Sequence, residues 1–315
     1  MENEAGMTPP AADLAALRAG GKRALADALA RVERAGGEAQ IAALIDEAFL
    51  GPRAHVLGFT GPPGVGKSTL IDALLRRWRA AGVTVGVIAV DPSSQLTRGA
   101  LLGDRIRIRT DPADQGVFVR SLAARGRLGG LTDLAFPAIV LMRAIYDRVI
   151  VETVGVGQSE ADISSVADTV VLCIQPGSGD SLQFMKAGIM EIPDIAVVTK
   201  ADTGPAARRA LADLKGAMGL AAGTAIPCFM ISASSGEGLD ALTASFDERF
   251  ATLSADALAA SRRAQAESWL RASILQRFGE DGLAAAARAL VLPANAAPFG
   301  RRAAILDRLH VRFDD

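Results

Sequence analysis

Gly61-Pro62-Pro63-Gly64-Val65-Gly66-Lys67-Ser68-Thr69 is the stretch that decides the reading of this chain. It satisfies the pattern G-x-x-x-x-G-K-S/T. An apolar run, His55 to Thr60, precedes it and a helical pattern, Ser68 to Ala81, follows, which is the strand–loop–helix context the pattern requires. Glycines let the backbone wrap so that successive amide N–H groups face phosphate oxygens. The helix that follows adds the positive end of its dipole. Lys67 is therefore expected to bridge the β- and γ-phosphates of a nucleotide, and the Ser68 hydroxyl to complete a Mg²⁺ shell.

Outward from this loop the chain alternates. Short runs rich in β-branched residues recur at His55 to Thr60, Thr84 to Asp91, Gly116 to Arg120, Arg148 to Val154, Thr169 to Gln175, Asp194 to Lys200 and Ile226 to Ser232. Helical patterns separate most of them, at Ser68 to Ala81, Leu131 to Tyr146, Pro205 to Met218 and Leu239 to Thr252. The alternation predicts an α/β fold with a mostly parallel, doubly wound sheet flanked by helices. Ligands on such sheets bind at the carboxyl ends of the strands.

Residues 1 to 11 read as a tail ending at Pro9-Pro10, and Ala12 to Phe49 as two or three helices punctuated by Gly20-Gly21 and Gly36-Gly37. After Ser254 the pattern is helical again, broken by Pro293 and Pro298. The expected organisation is a helical arm over residues 1–50, a nucleotide-binding domain over 51–253 and a helical extension over 254–315.

Two more constellations lie at strand ends. Glu152 closes the apolar run Val149-Ile150-Val151, where an acid is costly to bury without a partner, and it is the expected carboxylate beside a phosphate-bound Mg²⁺. Gly155 follows where an amide could approach a γ-phosphate. Asp91, ending Val85 to Val90, is a second acid for the metal, although Asp-Pro also favours an ordinary turn. Downstream, Thr199-Lys200-Ala201-Asp202 fits the N/T-K-x-D element of guanine recognition. A carboxylate there accepts from both guanine N1–H and the N2 amino group. Adenine offers neither donor and would leave Asp202 buried and unpaired. Thr199 stands where Asn is commoner, which removes an amide-mediated tether of the loop. Ser232-Ala233-Ser234 resembles the S-A-x loop whose backbone contacts the base oxygen.

Composition narrows the partners. The chain has 315 residues, 50% of them hydrophobic, and a formal net charge of −1. No global field favours nucleic acid or an anionic membrane. No apolar run approaches the ~20 residues needed to span a bilayer. No basic-then-apolar leader opens the sequence, and Cys173 and Cys228 stand far apart in apolar runs. A cytoplasmic protein with two buried thiols is the expectation.

Four further segments resemble the MeaB/ArgK/MMAA family of P-loop GTPases. They are Asp91-Pro92-Ser93-Ser94, Leu102-Gly103-Asp104-Arg105, Glu152-Thr153-Val154-Gly155-Val156-Gly157-Gln158-Ser159-Glu160 and Pro176-Gly177-Ser178-Gly179-Asp180. The resemblance spans residues 15 to 300. It implies a GTPase, binding GTP and GDP with Mg²⁺, that acts as a chaperone for an adenosylcobalamin-dependent acyl-CoA mutase, methylmalonyl-CoA mutase foremost. It implies that Asp91 and Asp104 join Ser68 and Glu152 around the metal, Asp104 coming from a mobile switch. It also implies that 176–186 contacts the mutase, with Lys186 approaching the nucleotide when the partner docks, and that the C-terminal helices form a homodimer. On the residues alone, Lys186 reads equally as a solvated helix lysine, and Arg105, Arg107 and Arg109, at period 2, read either as contacts for an acidic partner surface or as a solvated strand face. Gln158 and Glu160 are candidates for placing water. Arg98 and Arg127 depart from the family pattern, where glycine and threonine are usual.

Two other readings stay open at this point. One is an ATP-dependent kinase linked to basic amino-acid transport, an older assignment for the family, against which Asp202 argues. The other is a nickel-delivery GTPase, which needs a metal-binding cluster, whereas His55, His310, Cys173 and Cys228 stand alone in the sequence.

Overall fold

The computed structural model describes residues 13–34, 39–91, 108, 110–123, 134–153, 163–177, 193–221 and 226–313. Three helices come first, α1 (Leu14–Ala19), α2 (Gly21–Arg34) and α3 (Ala39–Leu50). Strands and helices then alternate as β1 (His55–Thr60), α4 (Lys67–Ala80), β2 (Val85–Asp91), β3 (Val117–Ala123), α5 (Ala135–Ile145), β4 (Arg148–Glu152), β5 (Thr169–Ile174), β6 (Ile195–Val198), α6 (Pro205–Ala221), β7 (Cys228–Met230) and α7 (Leu239–Thr252). Two helices close the chain, α8 (Ala255–Ala286), kinked at Gly279, and α9 (Pro298–Phe313).

Among the described residues, seven strands lie in one parallel sheet in the order β3-β2-β4-β1-β5-β6-β7. Central strands of such a sheet are covered on both faces, which is why β1 and β5 are buried at every residue. Alternate residues then feed different layers. Val56, Ile88, Val90, Val149, Val151 and Val170 pack against α5 and the terminal helices. Leu57, Phe59, Val85, Val87, Ile150 and Val171 pack against α4 and α7. Helix α4 contributes Leu70, Ile71, Leu74, Leu75 and Trp78, one stripe at helical spacing. It stops because Gly82, at φ 77°, turns the chain left-handed. The N–H of Gly82 reaches the Arg79 carbonyl at 3.0 Å and that of Val83 the Trp78 carbonyl at 2.9 Å, the Schellman closure.

The terminal helices share one apolar cluster with a face of the sheet. Leu14, Leu17, Leu25 and Leu29 join Ala266, Leu270, Ile274, Leu306 and Leu309 there. Trp269 of α8 stacks on Phe136 of α5 at 5.3 Å between ring centroids and meets Phe299 of α9 at 4.7 Å. Asp46 on α3 accepts the backbone N–H groups of Phe299 and Gly300, both at 2.8 Å, satisfying the first turn of α9. Pro298 thus opens a helix, as suits a residue with no N–H, where the sequence suggested a break.

At the amino ends of the strands, Arg262 of α8 makes a buried bidentate pair with Asp168, at 2.9 and 2.6 Å, and donates to the Ala54 carbonyl at 2.8 Å. Asp168 also accepts from the Val56 N–H at 2.9 Å. His55 is fully buried beside this pair, stacked on Phe250 and 2.8 Å from the Thr169 hydroxyl. Burial pushes its imidazole down to about 4; Asp168 opposes this, while Arg148, Arg262 and Arg249 add to it. Cys173 is buried as expected, but Cys228, near the β7 edge, is only half-buried. Among the described residues no helix is long and apolar enough to cross a membrane.

Candidate nucleotide site

The loop 61–66 leaves the carboxyl end of β1, and its folding depends on contacts made underneath it. Gly61 has φ 134°, and a Cβ there would lie 2.1 Å from the Cys173 carbonyl oxygen, so the loop can cross β5 only with glycine at this position. Lys67, Ser68 and Thr69 form the first turn of α4. Lys67 is buried, and its ammonium donates to the carbonyls of Gly61 at 2.7 Å and Pro62 at 3.2 Å. It therefore lies over the loop that the sequence assigns to the phosphates. Cys173 beneath is held protonated, its thiol pushed up to about 12 by burial, with Lys67 pulling the other way and Glu152 reinforcing the rise.

Glu152 ends β4, the strand beside β1, at the same level as Phe59 of β1 and Ala89 of β2. Its Oε1 accepts from the Ser68 hydroxyl at 2.7 Å, and both side chains are buried. Next in the chain, Thr153 is buried and donates its N–H to the Phe59 carbonyl at 3.1 Å, pinning the end of β4 to β1. A hydroxyl and a carboxylate side by side at a phosphate loop form a hard-oxygen donor set that fits Mg²⁺. The backbone of β2 continues to Asp91, two positions beyond the Ala89–Glu152 level. Asp104, Gly155, Gln158, Glu160 and Lys186 lie outside the described residues, as do Arg98, Arg105, Arg107, Arg109 and Arg127.

The second half of the site follows β6 and β7 along the same edge of the sheet. The Thr199 hydroxyl lies 2.6 Å from the Val65 carbonyl and 3.0 Å from that of Ile174, and the Thr199 N–H donates to Ile174 at 2.8 Å. The sequence reading took Thr199 as the loss of a tether. Instead the shorter side chain, buried against the loop, reaches Val65 directly through its hydroxyl. Lys200 adopts φ 56° and ψ 45°, and among the described residues it is the one non-glycine at positive φ. Its ammonium lies 3.4 Å from the Gly64 carbonyl and also donates to the Gln175 side chain. Gln175 reads in the sequence only as the end of the run Thr169 to Gln175, with no part in the site; its signal is a polar residue ending an apolar strand just before Pro176-Gly177.

Asp202 is exposed, and its Oδ1 accepts from the Ser232 hydroxyl at 2.9 Å. The 3-10 turn Ala201–Thr203, which follows β6, carries Asp202 with its carboxylate open to a ligand. Ser232 is fully buried and also lies 2.9 Å from the Ser234 hydroxyl, so it orients the Asp202 carboxylate and the S-A-S loop together. Ala233 between them is half-buried. The structure thus brings together Gly61 to Thr69, Glu152, Thr199, Lys200, Asp202 and Ser232 to Ser234 on one edge. That edge can hold a polyphosphate at one end and read a base at the other.

Comparison with known proteins agrees with this arrangement. An inferred GTPase of Caulobacter vibrioides is 35% identical over 298 residues, 90% of this chain and 91% of that one. An inferred GTPase of Pyrococcus horikoshii is 52% identical over 188 residues, which span 59% of this chain and 59% of the Pyrococcus protein. The crystal structure of a LAO/AO transport system kinase superimposes with a TM-score of 0.63 at 25% identity, covering 96% of each chain. Residues 25–287 match the family described as methylmalonyl Co-A mutase-associated GTPase MeaB, and with that match falling across the whole of this site, the chain belongs to the MeaB family.

Proposed function

We propose that this protein hydrolyses GTP to GDP and phosphate, slowly by itself and faster when a partner orders its switch segments. The observation that carries the reading is the Ser68–Glu152 pair at the phosphate loop, lying on the same sheet edge as the Asp202–Ser232 pair. Phosphoryl transfer needs little covalent help and depends mainly on positioning and charge neutralisation. Lys67, released from the Gly61 and Pro62 carbonyls, supplies one positive charge to the β- and γ-phosphates. Backbone N–H groups at the start of α4 supply partial charges in the same place. Ser68 and Glu152, joined in this reading by Asp91 and Asp104, would hold Mg²⁺, which supplies charge neutralisation at the phosphates when bound. Asp202, already oriented by Ser232, accepts from guanine N1–H and N2. The Lys200 stem packs over the base.

We further propose that the partner is an adenosylcobalamin-dependent acyl-CoA mutase, with methylmalonyl-CoA mutase foremost. Support comes from the family's own description and from the switch-like segment 176–186 that follows β5, where Lys186 would approach the nucleotide. In this reading the protein gates cofactor loading and protection of the mutase, in the cytoplasm, and pairs as a homodimer through residues 254–315. The arm 1–50 and the domain 51–253 complete its organisation.

GTP turnover by the purified protein, alone and with methylmalonyl-CoA mutase from the same source, tests the reading, with ATP run in parallel. Stimulation of GTP hydrolysis by the mutase, with ATP inert, is expected. GTP turnover indifferent to the mutase removes that partner and keeps the hydrolase. A preference for ATP overturns the assignment of Asp202 and favours the kinase activity named for the structural relative.

A further inference from the structure

Lys200 is held in an unfavourable backbone conformation by bonds on both sides. Before it, the Thr199 N–H donates to the Ile174 carbonyl at 2.8 Å. After it, the Ala201 N–H donates to the Ile231 carbonyl at 3.0 Å, and the Lys200 carbonyl itself accepts from the Thr203 N–H at 3.0 Å and hydroxyl at 2.8 Å. A left-handed lysine persists where its surroundings over-determine it, and such residues concentrate at ligand clamps. The backbone is therefore fixed, and it fixes the direction in which the side chain leaves.

The side chain is a different matter. Lys200 is exposed, and an ammonium on a four-carbon stem samples many rotamers in water. Among the described residues, two oxygens restrain it, the Gly64 carbonyl at 3.4 Å and Oε1 of Gln175. The Gly64 contact is at the long end of hydrogen-bond range, so the Gln175 oxygen is the stronger hold. Gln175 is half-buried and continues directly from β5, whose last residue, Ile174, also anchors Thr199. Its amide oxygen is thus presented from a rigid strand end.

We propose that Gln175 is a positioning residue for the guanine nucleotide, acting through Lys200. By accepting from the ammonium, it keeps the lysine stem along the loop edge between Gly64 and Gln175, where the stem covers one face of the base. Gln175 itself touches no part of the nucleotide. The inference rests on the guanine-nucleotide reading given above.

The test uses Gln175→Met, which keeps side-chain length and removes the oxygen, and Gln175→Glu, which keeps an oxygen acceptor in place. Release of a fluorescent GDP analogue is followed by stopped flow, and hydrolysis of pre-bound GTP by single turnover. Gln175→Met is expected to release GDP about tenfold faster, the scale of one hydrogen bond to a charged group, with single-turnover hydrolysis unchanged. Gln175→Glu is expected to release GDP no faster than the parent protein. In a Lys200→Met background, Gln175→Met is expected to have no further effect, because the two changes remove the same contact.

Parent-like release from Gln175→Met overturns the proposal. So does fast release from Gln175→Glu, or a full additive effect in the Lys200→Met background. A parent protein that binds the ADP analogue and not the GDP analogue instead overturns the guanine reading itself, a result visible before any variant is compared.

Discussion

The Ser68 hydroxyl donates to Oε1 of Glu152 at 2.7 Å, across 84 residues of sequence. The serine belongs to the first turn of α4 and the glutamate to the last position of β4, so they meet because β1 and β4 are parallel neighbours in register at Phe59 and Glu152. Both side chains are nearly excluded from solvent, at 8% and 5% exposure, where a lone carboxylate would be costly. The hydroxyl donor relieves part of that cost.

Replacing Glu152 with Gln keeps the shape and removes the charge. GTP turnover should fall by at least about tenfold, the scale seen even for partners one shell out from a metal, and more Mg²⁺ should be needed for half-maximal rate. Turnover measured across a Mg²⁺ titration checks this. An unmoved Mg²⁺ midpoint would take Glu152 out of the metal shell.

Asp202→Asn exchanges an acceptor of two hydrogen bonds for a group that must donate one. Guanine binding should weaken by about 2 kcal/mol or more, while a xanthine nucleotide, which presents an oxygen in place of the N2 amino group, should gain. Calorimetric titration with GDP, XDP and ADP reads the order directly. Equal GDP affinity in parent and variant would contradict the base-reading role.

The pair Arg262–Asp168 lies at the opposite edge of the sheet, with side-chain exposures of 7% and 0%. Arg262→Met leaves the Asp168 carboxylate buried without its bidentate partner and should cost about 3–5 kcal/mol of stability. Urea denaturation supplies the number, and GDP affinity of the folded variant should stay near the parent value. A loss under 1 kcal/mol would mean that the Val56 N–H suffices to satisfy Asp168.

His55 gives the fold a pH dependence of known sign. Burial lowers its folded-state value to about 4, below the ordinary 6.5, so the unfolded chain takes up the proton first as pH falls. Its contribution is fully present well above pH 6.5 and is lost progressively as the pH drops towards 4, about 3 kcal/mol in all. Denaturation midpoints at pH 7.5, 6 and 5 should therefore fall for the parent and fall less for His55→Gln. Parallel slopes would show that His55 does not couple to folding.

Much of this was legible in the sequence because it was local. Strand β1 and helix α7 run as the residue pattern indicated, since β-branched runs and helical spacing encode them within one element. Edge elements were less legible. β7 holds only Cys228–Met230 where seven residues suggested a strand, and β3 runs on to Ala123, three residues past the expected Arg120. Edge lengths depend on how far the neighbouring strand offers partners, which no single segment carries. Thr199 shows the same limit at the site. Residue type suggested a missing tether, and the hydroxyl makes one because Val65 lies within its reach.

By itself, then, the sequence determined the phosphate-loop motif, the strand–helix alternation and which acid and base-reading residues are candidates, all of which are written in contiguous motifs. Tertiary structure alone decided which of these meet. It placed Ser68 against Glu152, Thr199 against Val65, Lys200 against Gln175 and Ser232 against Asp202. The physical reason is that these pairings follow from the order β4-β1-β5-β6-β7 in the sheet. That order is fixed by how the apolar faces of helices and strands pack together, a property of the whole core that no local stretch contains.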